Sequence, residues 1–210
     1  PGGKARSVKG APMRAPRRAL LLLALLLGAC AAPYALVPPG RQIVAGTLSV
    51  QSGIAWNRIN APPWAGKVEV WTQDGAALDS LTFIVGTGDG EPLLWRESRS
   101  GGAPPPPAFR RDMTGIEIAE LFAASLARNH QTPIVEVTRV TPTQLGAAPG
   151  FRFEVRYVGR DEVERAGTAV GAVRAGRLDL VWFESAGGDR YRRHLAEFER
   201  IVASVRFVGE

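Results

Sequence analysis

Two histidines, His130 and His194, are the side chains that could move protons near neutral pH. His130 follows the end of a predicted helix, where a positive charge would interact favourably with the helix dipole. His194 lies within the last predicted helix, beside Arg192 and Arg193. Neither histidine belongs to a His-Glu-x-x-His motif, and Cys30 has no second cysteine to complete a thiolate metal site. The sequence therefore predicts no metal ion and no cofactor.

Three acids, Asp161, Glu162 and Glu164, cluster beside Arg160 and Arg165 in a connection between two predicted strands. Paired carboxylates can hydrolyse glycosides when they lie about 5–9 Å apart. Charges of both signs at a strand connection are more typical of a solvated surface. We therefore assign no catalytic residue to this cluster.

A glycine-rich segment at 86–90 has some of the spacing of a phosphate-binding loop. It lacks the Gly-Lys-Ser/Thr ending of such loops, and it runs into Glu91 and Pro92 rather than into a helix. No Gly-x-Ser-x-Gly motif marks a serine nucleophile. The segment is interpreted as a hairpin turn.

Cys30 ends a segment whose parts have the order of a secretory signal. Met13 opens a basic stretch, an apolar run covers 19–27, and the small residues Gly28 and Ala29 precede the cysteine. The apolar run is shorter than the roughly 20 residues that cross a bilayer. The chain has one cysteine, so no disulfide can form within it. We expect signal cleavage between Ala29 and Cys30.

The sequence Leu27-Gly28-Ala29-Cys30 resembles the lipobox of a bacterial lipoprotein signal peptide. The resemblance implies that Cys30 is the lipidation site and begins the mature chain. It also implies durable anchoring, because two or more acyl chains hold a protein on a membrane far longer than one. Ala31 rather than aspartate follows the cysteine. In Gram-negative lipoproteins that pattern implies sorting to the outer membrane, with the domain facing the periplasm.

The leader accounts for the basic character of the chain. The formal net charge is +6, but residues 1–29 hold six of the 26 basic residues and no acid. The remainder has 20 basic and 20 acidic residues and is formally neutral. A nucleic-acid partner is therefore not predicted.

Four segments follow from these patterns. Residues 1–12 precede Met13 and are interpreted as a mis-assigned or disordered leader, and 13–29 as the signal peptide. Residues 30–41 contain three prolines and are interpreted as a lipidated tether. Residues 42–210 are expected to form one globular domain.

Apolar periodicity predicts an α+β fold for that domain. Thr114 and Glu117 form a capping box that begins a helix over 115–128, and apolar spacing predicts a second helix over 190–203. Strands are predicted over 42–50, 68–72, 78–85, 92–95, 134–140, 151–157, 163–174, 178–185 and 205–208. We expect a mostly antiparallel sheet with the two main helices packed against one of its faces.

The last third of the chain resembles a known group. The strand Asp179–Phe183 is followed by a helix that runs through Phe198 into an "S-x-x-F" ending, Ser204 to Phe207. This looks like the C-terminal part of the PsbP/Mog1-like α/β/α sandwich group. Uncharacterised proteobacterial lipoproteins are similar at Trp56–Ile59, Val70–Thr72 and Met113–Thr114. The resemblance covers about 42–208 and implies adaptor or assembly roles in protein complexes, without a shared catalytic centre.

Two features are candidate interaction sites. Trp64 lies in a proline-rich loop and is the tryptophan we expect to be exposed. The run Pro104, Pro105, Pro106 and Pro107 is either a stiff surface loop or a ligand for the aromatic groove of a partner.

Three functions remain open from the sequence. The leading hypothesis is a lipid-anchored, non-enzymatic adaptor or assembly factor that binds an envelope protein. The second is a periplasmic small-ligand-binding protein or hydrolase, which requires a deep pocket holding His130 or the acids at 161–164. The third is a passive structural lipoprotein.

Overall fold

The structure is a computed structural model that describes Gly2 and residues 33–62, 67–94 and 105–209. Ala29, Cys30, Trp64 and Pro104 lie outside the described residues. The signal peptide, the lipidation site and the exposure of Trp64 therefore remain predictions from the sequence.

The described residues form eleven strands and two helices, with most of the strands in one antiparallel sheet. In chain order they are β1 Tyr34–Val37, β2 Gly40–Val44, β3 Leu48–Ser52, β4 Trp56–Ile59, β5 Val68–Thr72, β6 Asp79–Thr87, α1 Gly115–His130, β7 Val135–Leu145, β8 Ala148–Val158, β9 Glu164–Arg174, β10 Arg177–Ala186, α2 Gly188–Ser204 and β11 Arg206–Phe207. The main sheet has eight strands in the order β1-β4-β5-β6-β10-β9-β8-β7, and a second sheet has the order β11-β3-β2. The α+β class predicted from the sequence is confirmed.

The centre of the main sheet is built from long hairpins. Arg174 pairs with Arg177 across a two-residue turn, Ala175–Gly176, whose φ angles of 48° and 73° are both positive. Positive φ at both positions is what a type I′ turn requires, and its twist matches that of the flanking strands. β9 and β10 therefore stay in register along their whole length.

Strand β10 is apolar on both faces, and each face holds one helix. Leu180 and Trp182 belong to the core under α1, and the Trp182 ring lies 4.9 Å from that of Phe122. Val181 and Phe183 alternate with them and face α2, where the Phe183 ring lies 6.0 Å from that of Phe198. The expectation that both helices share one face is wrong, because two apolar faces each need a cover.

The second sheet lies on the α2 side of the main sheet. The strand predicted over 42–50 is a hairpin, β2 and β3, which turns at Ala45 and Gly46. The last predicted strand is also placed differently: Phe207 of β11 pairs with Leu48 of β3, not with the main sheet. Val44, Leu48 and Phe207 join the core beneath α2, so burial of these residues decides the pairing.

Two further expectations are corrected. Residues 34–37, predicted as part of a tether, form β1, where Val37 pairs with Trp56 and is 6% exposed. The prolines flank this strand rather than interrupt it, so burial of Val37 is compatible with them. In the described part of the strand predicted over 92–95, residues 92–94, the pairing is an isolated bridge from Pro92 to Ala108, and Trp95 lies outside the described residues.

Helix α1 begins at the predicted capping box. The Thr114 Oγ1 accepts from the Glu117 backbone N–H, and the Glu117 carboxylate accepts from the Thr114 backbone N–H at 2.7 Å. The carboxylate also accepts from the Thr114 hydroxyl at 2.9 Å, and the bonds from the Thr114 backbone N–H and hydroxyl hold the pKa of Glu117 below its usual value. The apolar stripe packs into the core as predicted, through Ile118, Leu121, Phe122 and Leu126. The helix ends two residues later than expected, at His130.

Candidate functional site

A polar network joins the C-terminal end of α1 to the main sheet. The Tyr157 hydroxyl donates to Glu184 Oε2 at 2.6 Å, and Ser80 donates to the other oxygen at 3.1 Å. The His130 ring lies 5.1 Å from the Tyr157 ring, and its Nε2 lies 3.5 Å from the hydroxyl. Pairing of Ser80 with Glu184 across β6 and β10 brings these groups together from distant parts of the chain.

Burial and a neighbouring charge determine the protonation of Tyr157 in this network. Burial, and then the negative charge of Glu184, raise the pKa of Tyr157 far above its ordinary value. The phenol therefore stays protonated at neutral pH and acts as a hydrogen-bond donor rather than as a nucleophile. Both oxygens of Glu184 accept a hydrogen bond, so this carboxylate links β6, β8 and β10, and the contact of His130 with Tyr157 joins α1 to them.

Asp161 and Glu162 lie in the connection between β8 and β9, and Glu164 is the first residue of β9. Asp161 accepts two hydrogen bonds from the guanidinium of Arg165, at 2.9 and 2.7 Å. These bonds hold the pKa of Asp161 well below its usual range. Asp161 is therefore an ion-pair partner, and its bidentate geometry fixes the Arg165 side chain against the loop.

Acid is expected to remove the contribution of the Asp161–Arg165 ion pair to the free energy of unfolding. A carboxylate with a lowered pKa stabilises the folded state above its unfolded-state pKa of about 3.9, and loses that effect as pH falls toward the folded-state pKa. We expect Asp161→Asn to lower the free energy of unfolding at pH 7 and to reduce its fall between pH 5 and pH 2. Urea denaturation across that range measures both effects.

The control for this prediction is Asp112→Asn. The Asp112 side chain is 75% exposed and receives a single hydrogen bond from Arg110 Nε at 3.2 Å. We expect this variant to keep the acid dependence of the parent protein. If Asp161→Asn also follows the parent curve throughout, the proposed contribution of the Asp161–Arg165 pair is wrong.

An open cleft of about 560 Å³ lies beside the network. Its walls include Thr132, Ile134, Tyr157, Val158 and Glu164. Glu164 is thus the predicted acid that reaches the cleft, while His130 contacts Tyr157 behind that wall. The cleft is wide and shallow, unlike the deep pocket that the hydrolase hypothesis requires.

The second histidine lies on the other face of the sheet. His194 Nε2 is 3.7 Å from Asp74 Oδ2, which accepts from Arg190 Nε at 2.9 Å. The imidazole packs edge-on against Phe183, with its ring centroid 6.4 Å away. The two histidines are therefore held apart, because their helices cover opposite faces.

A second cleft, which we call the α1 cleft, lies between the N-terminus of α1 and the β7–β8 hairpin. Its volume is about 450 Å³, and its walls are mainly apolar: Met113, Ile116, Val140, Pro142, Phe151 and Val173. Ile116, one of the residues that line it, is 59% exposed. Sequence reasoning missed this cleft, although Ile116 is an apolar residue outside the buried stripe of α1.

Glycines shape the wall of the α1 cleft. A Cβ at Gly115 would come within 2.8 Å of Phe151 Cβ, and a Cβ at Gly171 would come within 2.8 Å of Phe151 Cζ. Gly171 pairs directly with Phe151 in the sheet. The absence of side chains at these two positions lets the Phe151 ring lie between α1 and β9.

The candidate interaction residues are only partly described. Pro105 is exposed, and its carbonyl accepts a 3.5 Å hydrogen bond from Arg128 of α1. Pro106 and Pro107 are half-buried, and the chain then enters the core at Phe109. The end of the proline run is therefore attached to the domain. Its binding role, like that of Trp64, remains a prediction.

Among the residues that the structure describes, no group of three His, Cys, Asp or Glu side chains is arranged to hold a metal ion. In the same ranges, none of the helices has the length and apolarity needed to cross a membrane.

Comparison with known proteins supports the fold. Neither protein-family models nor curated protein sequences give a match. Among solved structures, the cyanobacterial PsbP of Synechocystis sp. PCC 6803 has a TM-score of 0.51 at 14% identity, covering 86% of this chain and 95% of that chain. This chain has a PsbP-like fold. The structural resemblance inferred from residues 179–207 is thus confirmed, while the lipobox and a proteobacterial origin remain predictions.

A second solved structure is more distant. LpqN, described as involved in cell envelope biogenesis of Mycobacterium tuberculosis, has a TM-score of 0.34 at 9% identity, covering 86% of each chain. A score at this level supports no argument about the present protein.

Proposed function

We propose that this PsbP-like protein is a non-enzymatic adaptor or assembly factor of the cell envelope. Acyl chains on Cys30 hold it to the outer membrane, with its domain facing the periplasm. The lipobox-like sequence supports the anchor. The α1 cleft is the observation that carries the binding role, and an envelope protein is the partner.

The exposed apolar surface of the α1 cleft favours a protein partner. Ile116 leaves more than half of its surface in water, although it lies on a helix whose other large apolar residues are mostly buried. Contiguous exposed apolar surface with a polar rim is typical of protein interaction sites. Charged side chains flank the cleft-lining segment 113–116 in the chain, where Arg110 lies 3.2 Å from Asp112 and 4.0 Å from Glu117.

The frame of the cleft is already ordered without a partner. The capping box fixes the first turn of α1, and Phe151 is held between Gly115 and Gly171. A partner therefore binds without paying for the ordering of these elements.

The partner is expected to insert side chains into the cleft rather than to add a strand. Strand β7 is the edge of the main sheet, but its pairing shifts between Thr138 and Thr141 at a bulge, where Arg139 has φ of 53°. Pro142 follows in the same strand and has no N–H to donate. Bulges and prolines protect a sheet edge against strand addition.

Site-specific photo-cross-linking in living cells tests this proposal. A photoreactive residue at Thr141, an exposed member of the cleft, is combined with the native chain, with Ile116→Asp or with Ile43→Asp. Ile43 is 55% exposed and lies on β2 of the second sheet, so it is a matched control for Ile116. We expect one envelope protein to be captured, and Ile116→Asp to reduce its yield at least about tenfold, as expected for a central contact.

The control variant must retain the yield of the native chain. If Ile116→Asp captures the same protein as efficiently as Ile43→Asp, the cleft is not the binding site. If Thr141 captures no protein at native expression, the adaptor role is wrong and a passive structural lipoprotein is favoured.

The proposed acylation of Cys30 is tested by a separate measurement. We expect the mass of the N-terminal peptide to show acyl chains on Cys30, and Cys30→Ser to release the protein from the membrane fraction. Unmodified Cys30 in the membrane-purified protein would contradict the anchor without affecting the cleft.

A further inference from the structure

The face of β1 and β4 that is turned away from α2 exposes an apolar group that the proposed function does not use. Tyr34 is 42% exposed and Leu36 is 72% exposed. Tyr34 pairs with Ile59, which is half-buried, so these three side chains share one face at the end of the main sheet. We define Tyr34, Leu36 and Ile59 as the β1 corner.

We propose that the β1 corner lies against the lipid surface to which Cys30 is attached. The inference rests on the proposed anchor and adds to it the orientation of the domain on the membrane.

Chain length restricts what can cover this corner. β1 begins at Tyr34, only four residues after Cys30. Four residues span at most about 14 Å even when fully extended. An acylated Cys30 at the membrane surface would therefore keep Tyr34 close to the lipid headgroups. The long tether expected from the sequence would have allowed many orientations, whereas a strand at Tyr34 allows few.

Basic residues lie at the end of the neighbouring strands, on the other face of the sheet, because Arg58 pairs with Trp71, which belongs to the core beneath α2. Arg58, Ile59 and Lys67 line a single shallow cleft of about 380 Å³ with Glu69. Arg58 is about half exposed, and its nearest carboxylate oxygen, on Glu69, is 3.9 Å away. Lys67 is exposed. Membrane interfaces favour tyrosine at the headgroup level, so Tyr34 rather than these basic residues makes the corner suitable for a lipid surface.

The same corner is poorly suited to a protein that adds a strand. β1 has four residues, and Pro33, Pro38 and Pro39 flank it. A short, proline-flanked edge offers few backbone groups to a partner strand. A lipid surface needs no backbone groups for binding, because it contacts only the side chains.

The test places an environment-sensitive fluorophore on a cysteine at position 36 of the acylated protein in anionic phospholipid vesicles. Acylation blocks Cys30, so the introduced thiol is the one that is labelled. The matched control is a cysteine at position 134, since Ile134 is also 72% exposed. Ile134 directly precedes β7, at the opposite edge of the eight-stranded sheet, roughly 30 Å away at about 4.8 Å per strand.

We expect the Leu36→Cys label to shift its emission to shorter wavelength and to be quenched by nitroxide-labelled lipids. The Ile134→Cys label should show neither effect.

Other outcomes separate the two proposals. Equal quenching at positions 36 and 134, or none at position 36 in vesicle-bound protein, overturns the orientation while the anchor stands. Absence of acyl chains on Cys30 overturns both. A corner covered by a second copy of the chain would let the unlabelled Leu36→Cys variant form an intermolecular disulfide when an oxidant is added, and the labelled protein would show no lipid quenching; this too overturns the inference.

Discussion

Replacing Trp182 by alanine is expected to lower the free energy of unfolding by about 3–5 kcal/mol. Trp182 is 2% exposed and lies on the centre of β10, where its ring contacts Phe122 of α1. Gly167 on β9 gives the ring its space, because a Cβ at that position would overlap the indole. Removing the ring leaves a cavity between α1 and β10, and β10 is held in place by its pairing with β6 on one side and β9 on the other. Urea denaturation followed by circular dichroism measures the loss.

Phe183, which follows Trp182 in the chain, provides the control for the loss of stability in Trp182→Ala. Phe183→Ala is expected to cost a similar free energy, but on the α2 face, where Phe183 contacts Tyr191 and Phe198. In native-state hydrogen exchange, Trp182→Ala should weaken protection in α1 first, and Phe183→Ala in α2 first. A cost below about 1 kcal/mol for Trp182→Ala would contradict the assigned core role.

The second large effect is expected from Gly150→Ala. A Cβ at Gly150 would overlap the backbone carbonyl oxygen of Gly171 on the neighbouring strand, and a backbone atom cannot move aside as a flexible side chain can. We expect the free energy of unfolding to fall by about 3 kcal/mol, because β8 and β9 must separate at this point. Since Phe151 follows directly in the wall of the α1 cleft, partner capture through Thr141 should also decrease.

Gly88→Ala is the control for the glycine effect. A Cβ at Gly88 would meet nothing closer than the side-chain carboxyl group of Glu91, at 3.3 Å, which can rotate away. We expect a change within about 0.5 kcal/mol and unchanged partner capture. If Gly150→Ala unfolds at the same urea concentration as Gly88→Ala, the close approach of β8 and β9 is not limiting for stability.

The β1 corner and the α1 cleft would give the protein two contacts with different partners. Both belong to one main sheet, with β1 at one edge and β7, beside the cleft, at the other. A membrane contact at the β1 edge would leave the α1 cleft available for a protein partner. Failure of either contact in its own experiment leaves the other to be judged separately.

Local sequence was sufficient where the structure depends on near neighbours. The Thr114–Glu117 capping box lies within one helical turn, so it predicts the start of α1. The alternation of residues 151–157 predicts β8, whose odd-numbered residues from Phe151 to Tyr157 are all buried. Ala175 and Gly176 follow the strand predicted over 163–174 directly, and they form the β9–β10 turn.

Contacts between residues that are far apart in the chain leave no local pattern in the sequence from which they could be predicted. Tyr34–Val37 lies among prolines and is a strand because Val37 packs against the core and pairs with Trp56. Glu197 interrupts the apolar stripe of α2, yet it is buried, because Ser52 and the backbone N–H of Gly53 donate to it at 3.1 and 2.6 Å. Neither environment can be read from residues that are adjacent in the chain.

The functional features also divide into those that the sequence alone determined and those that the tertiary structure decided. The sequence by itself determined the lipobox-like segment, the neutral charge beyond the leader and the α+β class, because each is a property of composition or of short periodic patterns. Only the tertiary structure decided that the two helices cover opposite faces, that Tyr157 meets Glu184 and His130, and where the two exposed apolar surfaces lie. These depend on which strands pair and which faces are covered, and burial summed over the whole chain, rather than any local preference, selects those pairings.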